Sequence, residues 1–276
     1  MRLVSTSDLP DGHPGWGFLI GRTPFFASRA DQRFSYSMYI PTGYRSMERP
    51  LRLVVAVHGT GRRAESARDS LIEFAERTGV AVLAPLFPGG IDDPNDLHNY
   101  KLIEYRGIRF DEVLLAMVDE AAERWSLEVS RFLFTGFSGG GQFAHRFALL
   151  HPDRLLCVSI GAPGRVTLLD DAPWPHGLGG MTVDLATVAT VPAQIVIGAN
   201  DLAADLLSAA QSSELEQRAG ATRVERARTL AAALSAAGMD VELVEVSGVG
   251  HDRSATMPSV EAFFERVLLA AAPSEL

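Results

Sequence analysis

Short apolar runs alternate with longer segments of helical periodicity from about residue 51 to the end of the chain. Each run is predicted to form a strand: 51–58, 80–85, 131–136, 155–162, 193–199 and 241–248. The runs at 155–162 and 193–199 are continuously apolar, which is typical of strands that are buried on both faces of a sheet.

Apolar residues recur at intervals of three and four residues between these runs, which predicts amphipathic helices. The predicted helices cover about 65–78, 110–125, 139–150, 224–234 and 258–271. Gly79 is suited to end the first helix, and Pro258 is suited to the first turn of the last one. Alternation of strands and helices predicts an α/β fold with a doubly wound, mostly parallel central sheet flanked by helices.

Three segments depart from this alternation. The segment FSYSMYIP (34–41) is aromatic and alternates, which predicts an edge or antiparallel strand. The irregular stretches 85–95 and 161–192 follow strands, so we expect them at the carboxyl edge of the sheet, where α/β proteins bind ligands. We therefore predict one domain over 1–276, with 161–192 as a cap-like or lid-like loop insertion.

Composition narrows the function classes. The chain has 276 residues, of which 47% are hydrophobic, and its net charge is −9. An acidic surface repels phosphate backbones, so we expect no nucleic-acid partner. The single cysteine, Cys157, cannot form an intramolecular disulfide, and its place in an apolar run predicts an inert thiol. With no apolar segment behind a basic start and no membrane-length apolar stretch, we expect a cytoplasmic protein without membrane association.

The segment Gly136-Phe137-Ser138-Gly139-Gly140 is a G-x-S-x-G sequence between a predicted strand and a predicted helix. A tight strand-to-helix turn projects the hydroxyl of the central serine and leaves space only for small residues two positions away on either side. Ser138 is therefore the candidate nucleophile.

A competing hypothesis is a dinucleotide site, because 139–144 reads G-x-G-x-x-A after a strand. Such a site needs an acidic residue about twenty positions later, at the end of the next strand. The next predicted strand ends in Ser159-Ile160-Gly161-Ala162, which contains no acid. We expect no cofactor.

A serine hydroxyl needs a histidine to accept its proton. Beyond His145 of the predicted elbow helix, the candidates are His151, His176 and His251. His151 ends that helix, and His176 lies in the insertion beside Trp174, where both side chains are candidates for substrate binding. His251 directly follows a predicted strand and is the candidate base.

A carboxylate must orient this histidine, and the order Ser, Asp, His is expected when the acid and the base lie on loops after later strands. Asp201 directly follows the apolar run 193–199 and is the candidate acid, with Asp205 as the alternative. Asp252, which adjoins the histidine, points the wrong way to orient it.

The negative charge that builds on a substrate oxygen needs hydrogen-bond donors, which are usually backbone amides. Gly139, just after the serine, supplies one candidate. The sequence His58-Gly59-Thr60-Gly61 follows the strand at 51–58 and suggests Thr60 as the second donor, with Gly61 as the alternative. We expect His58 to brace this loop. No metal-binding motif is present, so no catalytic metal is expected.

With HGTG (58–61), GFSGG (136–140), GAND (198–201) and GH (250–251) each after a strand, the sequence resembles the α/β-hydrolase superfamily from about residue 33 to 270. YSMYIPTGY (36–44) followed by LVVAVHGTG (53–61) is similar to the polyhydroxybutyrate-depolymerase and feruloyl-esterase-like branches. The resemblance implies a serine hydrolase that cleaves a carboxylic ester of a small molecule through an acyl-enzyme intermediate.

The alternatives on the same fold are an acyltransferase, a thioesterase, a peptidase or a perhydrolase, because one fold supports many reactions. A ligand-binding protein without catalytic activity is a further alternative from a different class.

Overall fold

The computed structural model describes residues 5–46, 49–202 and 217–271. The chain divides into two compact units, Met1–Leu133 and Phe134–Leu276, which are described in turn. The expectation of one domain over 1–276 stays a prediction.

The strands of the first unit surround the segment that was predicted to be an edge or antiparallel strand. Their bounds are β1 (Gly21–Arg22), β2 (Phe26–Ala27), β3 (Ser35–Ile40), β4 (Leu51–Val57) and β5 (Ala81–Leu86). β3 is antiparallel to β5, and β1 and β2 pair with it antiparallel as well. β3 is therefore antiparallel as predicted, but it is not an edge strand. β4 runs parallel to β5. A separate antiparallel pair consists of β6 (Glu104–Tyr105) and β7 (Ile108–Arg109).

The first unit contains the helices α1 (Ala64–Asp69), α2 (Ile72–Thr78) and α3 (Phe110–Arg124). The prediction of one helix over 65–78 is wrong, because the helix is interrupted between α1 and α2. The hydroxyl of Ser70 donates back to the carbonyl of Ala67 at 2.9 Å, and the fully buried Leu71 leaves helical geometry at φ −116°. Gly79 ends α2 in the left-handed conformation at φ 74°, as predicted.

The strands of the second unit follow the predicted apolar runs. β8 (Leu127–Phe137) begins in the first unit and ends in the second, and it is followed by β9 (Leu155–Gly161), β10 (Ala193–Gly198) and β11 (Val241–Val246). Their order is β8-β9-β10-β11, and β10 is parallel to both β9 and β11. All six residues of β10 are buried, as its uninterrupted apolar sequence predicted. β8 starts four residues before the predicted run at 131–136.

The second unit contains the helices α4 (Gly139–Leu150), α5 (Leu185–Val188), α6 (Arg223–Ala236) and α7 (Arg253–Ala270). The predicted start of α7 at Pro258 is wrong. The Asp252 carboxylate accepts a hydrogen bond from the Ser254 amide at 2.8 Å and caps the helix, so α7 begins at Arg253 and Pro258 lies inside it.

Parallel strands with helices between them confirm the predicted α/β fold with a mostly parallel sheet. Loops that follow such strands meet at one edge of a sheet, which is the usual place for a ligand site. Within the described ranges, no helix is both long and apolar enough to cross a membrane.

Candidate active site

Ser138 lies in the turn between β8 and α4, in a backbone conformation that non-glycine residues rarely adopt. Its φ and ψ are 58° and −114°. The Ser138 amide donates to the carbonyl of Gly161 at 2.8 Å, and its carbonyl accepts from the amide of Gln142 at 3.0 Å. These bonds hold the strained turn against the end of β9, which is how a strained residue persists at a functional site.

Glycines surround this turn because there is no space for side chains. A Cβ atom on Gly136 would lie 2.3 Å from the carbonyl oxygen of Gly140, and one on Gly141 would lie 2.3 Å from that of Gly161. A Cβ atom on Gly161 itself would lie 2.7 Å from the ring of Phe137. The sequence motif pointed to Gly136 and Gly140, and the structure adds Gly141 and Gly161 to the set on which the turn depends.

Asp201 and His251 lie on adjacent loops after β10 and β11. The amide of Asn200 donates to the carbonyl of Val249 at 2.8 Å, which ties the two loops together. Nδ1 of His251 is 2.5 Å from Oδ2 of Asp201. Because an ionised carboxylate only accepts hydrogen bonds, the proton of the neutral imidazole lies on Nδ1, and its Nε2 then has a lone pair that can accept a further hydrogen bond.

The imidazole also packs against the turn that holds the serine. The rings of Phe137 and His251 are 4.8 Å apart between centroids, and Phe137 immediately precedes Ser138. The His251 side chain is 34% exposed, whereas that of Asp201 is 1% exposed. The structure thus brings the candidate acid and base into contact and places the base beside the residue that adjoins the candidate nucleophile.

Asp201 has a second hydrogen-bonding partner, the cationic side chain of Arg223, which sequence analysis missed. Nη1 of Arg223, the first residue of α6, is 3.1 Å from Oδ1 of Asp201. Burial raises the pKa of Asp201, but the hydrogen bond and charge of His251, together with the charge and hydrogen bond of Arg223, outweigh burial and hold this pKa below its usual range. Asp201 is therefore a carboxylate at neutral pH.

The other candidate residues have different surroundings. The Asp252 carboxylate accepts from the amide and the hydroxyl of Ser254 and caps α7. The ring of His151 packs on Phe147, with 4.9 Å between centroids. Asp205, the alternative acid, lies outside the described residues.

The first half of the 161–192 segment is bonded to α4 through two buried side chains. Nε of Arg146 donates to the Thr167 hydroxyl at 2.9 Å, and the Thr167 hydroxyl donates to the carbonyl of Pro175 at 2.6 Å. The Thr167 amide donates to Nε2 of His145 at 3.0 Å. Trp174 and His176 are half-buried in the same segment, and their contact with a substrate stays a prediction.

In the first unit, the loop after β4 is braced by His58, which is buried. Its Nδ1 donates to the carbonyl of Gly59 at 2.9 Å, and its Nε2 accepts from the amide of Phe87 at 3.0 Å. The Tyr100 hydroxyl donates to the His58 carbonyl at 2.9 Å. Both ring nitrogens are used in holding the loop, as sequence analysis expected of this histidine.

Arg62 holds the next part of the loop from a strained position at φ 54°. Its Nη1 donates to the carbonyls of Thr60 and Leu97, each at 2.8 Å, and its amide donates to the carbonyl of Gly59 at 3.1 Å. In a trans peptide, an amide points opposite to the preceding carbonyl, so these bonds also set the directions of the Thr60 and Gly61 amides. In the part of the chain that the structure describes, neither amide donates a hydrogen bond.

A cysteine nucleophile and a metal site are the two other kinds of catalytic centre to consider. Burial raises the pKa of the Cys157 thiol, which lies within β9. Among the described residues, no group of three or more His, Cys, Asp or Glu side chains could hold a metal ion.

The fold of this chain was compared with known proteins. No family model and no curated protein matches the sequence. Solved structures do match. Poly(aspartic acid) hydrolase-1 from Sphingomonas sp. KT-1 has a TM-score of 0.74 and 23% identity, covering 88% of this chain and 97% of that one. LpqC, a poly(3-hydroxybutyrate) depolymerase from Bordetella parapertussis, has a TM-score of 0.68 and 23% identity, covering 88% and 86%. A ferulic acid esterase has a TM-score of 0.59 and 14% identity, covering 88% and 96%.

Proposed function

We propose that this chain, which has the α/β-hydrolase fold, is a serine hydrolase that cleaves a carboxylic ester of a small molecule through an acyl-enzyme intermediate. One observation supports this above the others. The imidazole of His251 is bonded to the buried carboxylate of Asp201 at 2.5 Å and packs against the strained turn that presents Ser138.

In the proposed first step, the Ser138 oxygen attacks the ester carbonyl while Nε2 of His251 takes the hydroxyl proton. Asp201 stabilises the imidazolium that results. When the tetrahedral intermediate collapses, the bond to the alcohol oxygen breaks and His251 returns the proton to the leaving alcohol. A water molecule, deprotonated by the same imidazole, then attacks the acyl-serine. The bond between the acyl carbon and the Ser138 oxygen breaks, the imidazolium returns its proton to that oxygen, and the carboxylic acid is released.

Two amides are the proposed donors to the oxyanion. The amide of Gly139 lies at the N-terminal end of α4, where amides lack partners within the helix and the helix dipole favours negative charge. The second proposed donor is Thr60, and the bonds of Arg62 and His58 that orient its loop support this choice. Donors that are fixed before the reaction need no reorganisation when charge develops.

The names of the structural neighbours support an acyl substrate, since they include a poly(3-hydroxybutyrate) depolymerase and a ferulic acid esterase. Trp174 and His176 are the proposed substrate-binding side chains, because both are partly exposed in a segment that is anchored to the helix following Ser138.

The test is hydrolysis of short p-nitrophenyl esters by the wild-type protein and by Ser138→Ala. Removing a catalytic serine costs up to about 10⁶-fold in turnover in a comparable triad, so we expect a loss of several orders of magnitude. A fluorophosphonate probe should label Ser138 in the wild-type protein alone. Undiminished hydrolysis by the variant contradicts the proposal, and a protein with neither labelling nor activity would be a ligand-binding protein instead.

Competing acyl acceptors separate ester hydrolysis from the related reactions. Transfer of the acyl group to an added alcohol or amine would indicate an acyltransferase. Transfer of the acyl group to hydrogen peroxide would indicate a perhydrolase. Preference for thioester or peptide substrates would indicate a thioesterase or a peptidase.

A further inference from the structure

We infer that Arg223 is a positioning residue for Asp201, which fixes the carboxylate in the orientation that His251 requires. This inference rests on the proposed function, because it assigns a role to the partner of the proposed triad acid. Arg223 is separated from Asp201 by 22 positions in sequence and contacts it from the first turn of α6.

The geometry of the carboxylate is the first argument. Oδ2 of Asp201 is bonded to Nδ1 of His251, and Oδ1 is bonded to Nη1 of Arg223. With one oxygen held on each side, rotation of the carboxylate about its bond to Cβ would break both contacts. The Asp201 side chain is 1% exposed while Arg223 is in place, so the guanidinium, and not bulk water, is the donor to Oδ1.

The position of Arg223 in its helix is the second argument. A cation at a helix N-terminus faces the positive end of the helix dipole, so it does not favour the helix itself. The start of α6 is already capped without it, because the Thr222 hydroxyl accepts from the Glu225 amide and the Glu225 carboxylate accepts from the Thr222 amide. The electrostatic benefit of the Arg223 charge lies instead in its contact with Asp201.

Comparison with another ion pair on the same helix is the third argument. Arg228 of α6 pairs with Glu245 of β11, and their side chains are 56% and 27% exposed. The side chains of Arg223 and Asp201 are only 13% and 1% exposed. Exposed pairs are screened by water, whereas breaking a shielded pair leaves an uncompensated charge and a carboxylate with altered geometry.

The experiment compares Arg223→Ala with the matched control Arg228→Ala, using p-nitrophenyl ester hydrolysis. Outer partners of metal ligands typically contribute about tenfold to a hundredfold, and by analogy we expect kcat of Arg223→Ala to fall by about that factor with KM unchanged. Arg223→Lys should recover part of kcat, and guanidinium added at concentrations well below denaturing should recover part of it in Arg223→Ala. The control should retain its wild-type kcat.

A second readout does not depend on activity. The proton shared by Nδ1 of His251 and Asp201 should give a low-field resonance in the NMR spectrum, assigned by its absence in Asp201→Ala. We expect Arg223→Ala to shift or broaden this resonance and Arg228→Ala to leave it in place. Because this measurement needs no substrate, it tests the inference even if Ser138→Ala shows the proposed function to be wrong.

Two results would overturn the inference. The first is a kcat of Arg223→Ala within about twofold of wild type together with an unchanged resonance. The second is a loss of kcat that neither guanidinium nor Arg223→Lys relieves and that parallels a fall in melting temperature, because that combination indicates a structural role only. If Arg223→Ala does not fold, Arg223→Gln and Arg223→Lys are compared in the same two assays.

Discussion

Replacement of His145 by glutamine should remove part of the acid sensitivity of the folded state. His145 is buried within α4, where Nδ1 donates to the carbonyl of Gly141 at 2.9 Å and Nε2 accepts from the Thr167 amide at 3.0 Å. A second proton would have to bind at Nε2, which already faces an N–H group. Burial, and then the charge of Arg146, lower the pKa of His145 from 6.5 to about 3.

The sign and size of the effect follow from linkage. Because the folded-state pKa is depressed, the unfolded state takes up the proton first, and stability is lost as the pH falls from 6.5 toward about 3. A pH of about 4.5 is two units below the pKa of His145 in the unfolded chain, whereas His145 in the folded state is still neutral. The resulting loss in the free energy of unfolding is about 2.7 kcal/mol. This figure depends on the unfolded pKa alone as long as the folded pKa stays below the pH of the measurement.

Urea denaturation of both proteins at about pH 7.5 and pH 4.5 measures this contribution. Glutamine can accept from the Thr167 amide but does not titrate, so any constant loss of stability in His145→Gln cancels when each protein is compared with itself. We expect the free energy of unfolding of wild type to fall between the two pH values by about 2.7 kcal/mol more than that of the variant. Equal falls, to within about 0.5 kcal/mol, would refute the assignment of a neutral buried His145.

Two further predictions concern the loops of the proposed site. A Cβ atom on Gly198 would lie 2.2 Å from the carbonyl of Gly250, so Gly198→Ala should displace the loop of His251 and lower kcat/KM by about a hundredfold. Gly250→Ala, which meets nothing within 4 Å, is its control, and equal activities of the two variants would contradict the reasoning. Arg62→Met should release the Thr60 carbonyl and lower kcat about tenfold to a hundredfold. Replacement of its exposed neighbour, Arg63→Met, should leave kcat unchanged. An unchanged kcat in Arg62→Met would argue against a loop that Arg62 fixes.

The elements that sequence predicted best are those whose local signals agree with their burial. The apolar run of β10 is buried at every position, and Gly79 ends α2 in the left-handed conformation that glycine adopts without strain. The Ser138 turn is of the same kind. The contact between Gly136 and Gly140 lies within one short stretch of chain, so for these two glycines the motif and the geometry are different descriptions of the same steric requirement.

The errors arose where a local signal competed with another one. Pro258 is a good first-turn residue, but Asp252 offers a stronger start signal six residues earlier, and the helix contains Pro258 in its interior. The apolar periodicity over 65–78 is continuous in sequence, yet the helix is interrupted at Ser70 and Leu71. Periodicity reports which face is buried and does not report a turn that keeps the same face inward.

Arg223 could not be assigned from sequence because its partner is distant in the chain. The available signal was a cation at the first position of a capped helix, which is unfavourable for the helix and therefore invites an explanation. That signal indicates that some acid lies nearby without saying which one. The choice of Asp201 needs the packing of α6 beside the loop after β10.

The ion pair between Asp201 and Arg223 also joins the two ends of the stretch 202–222. The entropy of closing a loop rises only slowly with its length, by about 0.6 kcal/mol for each doubling. Because this dependence on length is weak, the number of residues between Asp201 and Arg223 has little influence on the free energy of forming their contact.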